Sequence, residues 1–280
     1  MTCPYRSVLY IPASKERALE KVRELAVDAI IFDLEDAVAP EEKDRARALL
    51  AKVLRETDFG VRARIVRING LDTVWGSQDM AAFAGHAGVD AVLVPKVNSL
   101  ADLDAVATRV TGPIWAMMET AKGCLNAEQI AAHPRLQGMV MGTNDLAKEL
   151  GARFRADRLP LMAGLGACVL AARAAGKVIV DGVFNAFKDE TGLKAECEQG
   201  RDMGFDGKTL IHPAQLAIAN EVFAPLAAEL DLARRQIEAF AEARKRGDGV
   251  AVVDGKIVEN LHIAMAEALL AKAAQIAAIA

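Results

Sequence analysis

Two acids, Glu119 and Asp145, stand where short apolar runs stop. Ile114 to Met118 is bounded by Pro113 on one side and by Glu119-Thr120-Ala121-Lys122-Gly123 on the other. Such a run is too short for a helix and too oily for a loop, so it reads as a buried strand with a carboxylate at its C-terminal end. The next run, Leu136 to Met141, stops at Gly142 and leads into Thr143-Asn144-Asp145, which puts a second carboxylate at the same level one strand later. Neighbouring acids with no His-x-x-x-His or cysteine cluster nearby suit magnesium or manganese rather than zinc, because a hard cation accepts carboxylates and waters. The plainer alternative is a pair of solvated rim acids.

Other apolar runs end in polar residues too. Tyr10, Glu35, Asp36, Arg67, Asn69, Lys96, Asp181 and His212 all fall at or just beyond the C-terminal end of one. Arg67, within Arg67-Ile-Asn-Gly70, offers the bidentate geometry by which a guanidinium holds a substrate carboxylate. An ion pair with Glu35 or Asp36 is the competing explanation. Arg17 and Lys21, one turn apart, and Lys43 at the start of the next helical stretch can grip phosphates of an extended cofactor, or can be ordinary solvated helix charges. His212, before Pro213, is the only histidine at such an end and reads as a binding or structural group.

The elements that must position these residues follow a repeating rhythm. Strands are expected at 6–11, 29–34, 64–68, 91–94, 114–118, 136–141, 177–180 and 207–211, each followed by a segment of helical length or spacing. Ser14 is expected to cap the first helix, 41–55 carries apolar residues at helical spacing, and 72–87 reads as helix. Eight near-continuously apolar strands alternating with helices make the pattern of a (β/α)8 TIM barrel, a fold of typically ~250 residues in which reacting groups sit at the C-terminal strand ends. The expected domains are a barrel over 1–223 and a C-terminal helical extension over 224–280, with a short strand near 250–253 and an Ala-rich amphipathic helix from 258. That extension is expected to cover an active site, its own or a neighbour's.

The 280 residues are 52% apolar, enough for a large single core. With 34 basic and 38 acidic residues the formal charge is −4, which gives no general attraction for nucleic acid. Cys3, Cys124, Cys168 and Cys197 form no C-x-x-C pair, so a reducing, cytoplasmic setting is expected. The N-terminus lacks a signal-peptide core, and the longest oily stretch, 159–172, falls short of the ~20 residues that span a bilayer, so a soluble protein without a membrane partner is expected. Gly200 to Thr209 has Asp202 where a phosphate loop needs glycine, and neither Gly-x-Gly-x-x-Gly nor Gly-x-Ser-x-Gly occurs. Nucleotide hydrolase, dinucleotide oxidoreductase and α/β-hydrolase readings are thereby excluded.

Seven stretches together resemble one family, the citrate lyase beta-subunit-like enzymes, which include malyl-CoA and citramalyl-CoA lyases of the HpcH/HpaI aldolase superfamily. They are Arg6-Ser-Val-Leu-Tyr-Ile-Pro12, Phe32-Asp-Leu-Glu-Asp-Ala-Val38 with Lys43, Val66-Arg-Ile-Asn-Gly70, Val94-Pro-Lys96, Glu119-Thr-Ala-Lys-Gly123, Gly142-Thr-Asn-Asp-Leu146 and Gly204-Phe-Asp-Gly-Lys-Thr-Leu-Ile-His-Pro213. The resemblance implies Mg2+ on Glu119 and Asp145, which with Arg67 would also meet the substrate. It implies a CoA site lined by Tyr10, Arg17, Lys21, Lys43, Ile211 and His212. It further implies a homo-oligomer, a trimer or hexamer, in which the arm of one subunit covers the site of the next. Many relatives carry Gly-x-Met-Val/Ile-Asp in that arm; here the stretch is Gly255-Lys-Ile-Val-Glu259. Glu259 keeps the acid/base carboxylate but adds a methylene, and a displacement of ~1 Å can alter a rate by ~100-fold.

The activity expected first is therefore a Mg2+-dependent carbon–carbon lyase acting on malyl-CoA or citramalyl-CoA, giving acetyl-CoA and a 2-oxoacid, with Arg67 and Glu259 as catalytic groups. Two alternatives keep the same site. One is a malyl-CoA thioesterase, and the other is the beta subunit of a citrate lyase acting on an acyl-carrier subunit.

Overall fold

A computed structural model describes residues 3–279. Among these residues, eight parallel strands close into a barrel in sequence order: β1 (Ser7–Pro12), β2 (Ala29–Asp33), β3 (Ala63–Arg67), β4 (Ala91–Val94), β5 (Ile114–Met118), β6 (Leu136–Met141), β7 (Val178–Asp181) and β8 (Gly207–Leu210). Closure runs through β8 and β1, with Val8 opposite Thr209. The near-absence of polar alternation in these strands has its cause here. One face packs in the barrel and the other lies under helices, so both must be apolar. Leu19, Leu50, Phe83, Leu103, Ile130, Leu165 and Leu193 supply the helix side of that layer and are all buried. Inside, Trp115 fills space that Gly138 leaves, since a Cβ at 138 would stand 2.7 Å from the indole ring.

Strand limits agree with the sequence expectation to within about a residue, but helix starts differ. The first helix, Glu16–Lys21, begins after Lys15 with no side-chain cap, so Ser14 does not cap it. The helix expected over 72–87 is shorter, Val74–Phe83, because Thr73 caps it by accepting the Gly76 N–H at 3.1 Å.

The chain divides into two compact units, Tyr5–Phe223 and a second made of the first residues with Ala224–Ala280. Described by itself, the second unit has helices Ala227–Lys245 and Asn260–Ile279 and an antiparallel hairpin, Ala251–Val253 with Lys256–Val258. Only one of these two strands was expected. The hairpin turns on Asp254 and Gly255, both at positive φ (50° and 74°), the pairing that a two-residue turn of this hand requires. Phe240, Ala243, Ala251, Val253 and Val258 form its small core. Helix Asn260–Ile279 has 20 residues and a mean hydropathy of 1.3, so by length and composition it meets the requirement of a bilayer span. This corrects the expectation that the longest oily stretch lies at 159–172. Only Ala266 in it is buried.

Candidate active site

The C-terminal ends of β1 to β6 converge on one cluster. Asp33 closes β2 and orders the chain beyond it, accepting the Glu35 N–H at 2.9 Å and the Ala37 N–H at 3.1 Å. This turn keeps Glu35 on the same side as Asp33. From β3, Arg67 donates Nε and Nη2 to the two oxygens of Asp33 at 2.7 and 2.6 Å, a bidentate pair. Its Nη1 lies 2.9 Å from Glu35 and 3.7 Å from Asp36, and the Tyr10 ring of β1 packs 5.0 Å from the guanidinium. The Glu35 contact has ion-pair distance without hydrogen-bond geometry, since Glu35 Oε2 has no hydrogen-bond partner. Burial opposes the Arg67 charge, but Asp33, Tyr10 and Glu35 together outweigh it and raise the pKa well above the usual value. Burial also raises the Tyr10 phenol, which stays protonated.

Sequence reasoning expected Arg67 either to hold a substrate carboxylate or to pair with Glu35 or Asp36. The ion pairs with Glu35 and Asp36 are present, and the fork is in addition occupied by Asp33, a partner that the reading passed over.

Glu119 follows β5 and is 1% exposed. Its Oε1 accepts the backbone N–H of Lys96 at 2.7 Å, and its Oε2 lies against the Cα of Gly142, where a Cβ would come within 2.5 Å of it. Burial, then the charge of Glu35, pushes the Glu119 pKa up from 4.5 to about 7. Asp145 lies in helix Thr143–Glu149 after β6, near enough for its charge to be among those that raise Glu119 further. Among the described residues no three His, Cys, Asp or Glu side chains form a ready metal shell, so a cation here would take two carboxylates and complete its coordination with other oxygens.

Lys96 bridges two of the acids. Its N–H holds Glu119 and its Nζ donates to Glu35 at 3.1 Å. Glu35, buried, has a raised pKa because desolvation exceeds the relief from Arg67 and Lys96. A cavity of about 720 Å³ opens beside these groups, lined by Glu35, Lys96, Asn69, Trp75 and Thr120 among others. Asn69 is fixed by the fully buried Asp79, which accepts its N–H at 2.9 Å and its side-chain amide at 2.6 Å.

The residues expected to line a cofactor site are less uniform. Lys43 is buried, and its ammonium donates to the carbonyls of Leu34 and Glu35 at 2.8 and 2.6 Å. This corrects the expectation of a phosphate grip: the charge holds the β2 loop in place. Arg17 and Lys21 are exposed after β1, and Ile211 and His212 are exposed after β8, the strand that β1 pairs with. His212 Nδ1 accepts the Ala214 N–H at 3.1 Å and its ring stacks on Phe187 at 4.5 Å. Asp181 is not at the mouth in a reactive sense. It is buried between Arg158 (2.7 Å) and Lys208 (3.0 Å), whose charges depress its pKa despite burial. Glu259 belongs to the C-terminal unit and is exposed, its N–H donating to His262 Nδ1 at 3.0 Å.

A model of the HpcH/HpaI aldolase/citrate lyase family matches residues 6–213. The chain belongs to that family. Within it, the chain is 70% identical to a (3S)-malyl-CoA thioesterase of Cereibacter sphaeroides, over 98% of this chain and 96% of the relative. It is 34% identical, with the same coverage, to an L-malyl-CoA/beta-methylmalyl-CoA lyase of the same organism. Among solved structures, CitE from Mycobacterium tuberculosis in complex with magnesium, acetoacetate and coenzyme A is similar with a TM-score of 0.80 and 31% identity, covering 96% of this chain and 97% of that one. These identities overturn the expectation of a carbon–carbon lyase as the first reading. Relatives named for hydrolysis and for cleavage both match along 98% of this chain, so the resemblance selected the family and its barrel without selecting the bond that breaks.

Proposed function

We propose that this protein is a Mg2+-dependent thioesterase that hydrolyses a malyl-CoA-type thioester to the free hydroxy diacid and CoA. The observation that carries this reading is the 70% identity to a (3S)-malyl-CoA thioesterase along 98% of the chain. The donor set fits a hard divalent cation. Among the described residues, five carboxylates at the mouth, Asp33, Glu35, Asp36, Glu119 and Asp145, lie near three cations, Arg67, Lys43 and Lys96. Glu119 in particular is a buried acid whose pKa is raised because burial and the Glu35 charge exceed the relief from the Lys96 N–H and from Arg67, and a bound cation would offset that excess.

Glu119 and Asp145 would hold the cation, which when bound polarises substrate oxygens as a Lewis acid. The protein's own groups do the positioning. Lys96 N–H fixes one Glu119 oxygen and leaves the other facing Gly142. Arg67, held immobile by Asp33, presents a constant positive charge to the mouth. In the net reaction water adds to the thioester carbonyl, the carbon–sulfur bond breaks, and CoA leaves as its thiol.

The exposed pairs Arg17 with Lys21 and Ile211 with His212 flank the seam of β1 and β8, which supports a CoA site there with Tyr10 at its inner end. The C-terminal unit, with Glu259, is read as the cover of an active site in a neighbouring copy within a homotrimer or hexamer, a reading that rests on the likeness of its Gly255 to Glu259 stretch. Cys124, Cys168 and Cys197 remain thiols, in keeping with a cytoplasmic enzyme.

Product analysis tests the reaction. With malyl-CoA and Mg2+, malate and free CoA are expected in equal amounts with no glyoxylate. Glyoxylate and acetyl-CoA as the products would overturn the proposal.

A further inference from the structure

Lys96 is held with φ +51°, in the left-handed region. A non-glycine residue there costs about 1 to 2 kcal/mol, and glycine would make the same turn without strain. The turn alone therefore gives no reason for lysine, and the side chain must account for it. Its ammonium, 3.1 Å from Glu35, has donors to spare, and the side chain is 52% exposed in the wall of the 720 Å³ cavity.

The other cations near this cavity are occupied. Lys43 is buried against two carbonyls, and the Arg67 fork grips Asp33. The remaining charge of the lining is acidic, from Glu35, Asp36, Asp72 and Asp102. A carboxylate entering such a space needs a cation that can turn toward it. Among the described residues that line the cavity, Lys96 is the cation that meets this need, and its own N–H ties it to Glu119 so that its position is set relative to the metal ligands.

We propose that Lys96 is a specificity-determining residue that binds the free carboxylate of the substrate, the group that distinguishes a malyl thioester from a plain 3-hydroxyacyl thioester. The assignment rests on the thioesterase reading above. An analogue that lacks the carboxylate forgoes this ion pair, so the site favours the malyl thioester over it.

The test compares wild type, Lys96→Met, Lys96→Gly and Lys96→Arg at saturating Mg2+. Two quantities are measured: KM for malyl-CoA, and the inhibition constant of 3-hydroxybutyryl-CoA, which carries methyl in place of the carboxylate. In Lys96→Met, KM for malyl-CoA is expected to rise at least tenfold while the inhibition constant moves less than twofold. Lys96→Arg should recover most of the loss. Lys96→Gly relieves the backbone and keeps the N–H, which offsets the lost Glu35 ion pair, so it should stay folded and show the same loss. A purely structural role would shift both thioesters together, and that result, or an unchanged KM in Lys96→Gly, overturns the assignment. Wild-type protein that releases no CoA from malyl-CoA fails the thioesterase reading instead. Equilibrium binding of the same two thioesters then decides on Lys96 separately, with equal weakening of both by Lys96→Gly counting against it and selective loss of malyl-CoA counting for it.

Discussion

Replacing Glu119 by glutamine sets what the site needs against what the fold prefers. Glu119 is 1% exposed, and burial followed by the Glu35 charge pushes its pKa from 4.5 to about 7. At about 1.4 kcal/mol per pKa unit, the ionised form costs the metal-free fold roughly 3 kcal/mol. In the unfolded chain the carboxyl returns to its ordinary value, so between about pH 4.5 and 7 the native state holds the extra proton. Metal-free stability must therefore fall as pH rises through that window. The penalty is absent below about pH 4.5 and complete above about pH 7. Glutamine carries no charge and keeps a carbonyl oxygen for the Lys96 N–H. The Glu119→Gln protein is thus expected to be more stable than wild type by up to about 3 kcal/mol near pH 8 without metal, and equal to it near pH 4. Saturating Mg2+ should reverse the order near pH 8, because only wild type gains from binding. Thioester hydrolysis should be lost in the variant. Urea denaturation at both pH values, with and without Mg2+, measures every term. A variant less stable than wild type near pH 8 without metal, or one that gains as much from Mg2+, would refute the reasoning.

Two further substitutions probe the supports of the site. Gly142→Ala places a Cβ against the Cβ and Oε2 of Glu119, so Mg2+ affinity is expected to fall by about 10- to 100-fold in a calorimetric titration while the barrel stays folded. Asp33→Asn leaves the buried Arg67 without its bidentate anion, and chemical denaturation should show a loss of about 3 to 5 kcal/mol.

The barrel was legible because its cause is local. Strands such as 91–94, 114–118 and 136–141 are buried on both faces, so each must be a short apolar run bounded by polar or turn residues, and those boundaries are written in the chain. The same locality placed Glu119 and Asp145 just past the ends of neighbouring strands, since strand ends in a barrel share one mouth. Helix starts such as Thr73 and Lys15 were misplaced because a cap depends on a single side-chain geometry that composition does not reveal.

By itself the sequence determined the eight-stranded barrel, the level at which the polar groups stand, and the family. Tertiary structure alone decided how the charges are shared. Arg67, Lys43 and Lys96 look alike in a list of cations, yet one is gripped by Asp33, one by two carbonyls, and one is left facing the cavity. The physical reason is that charge pairing depends on distances of a few ångströms between strands far apart in the chain. Spacing along one strand predicts which face a side chain takes but not which partner from the next strand reaches it.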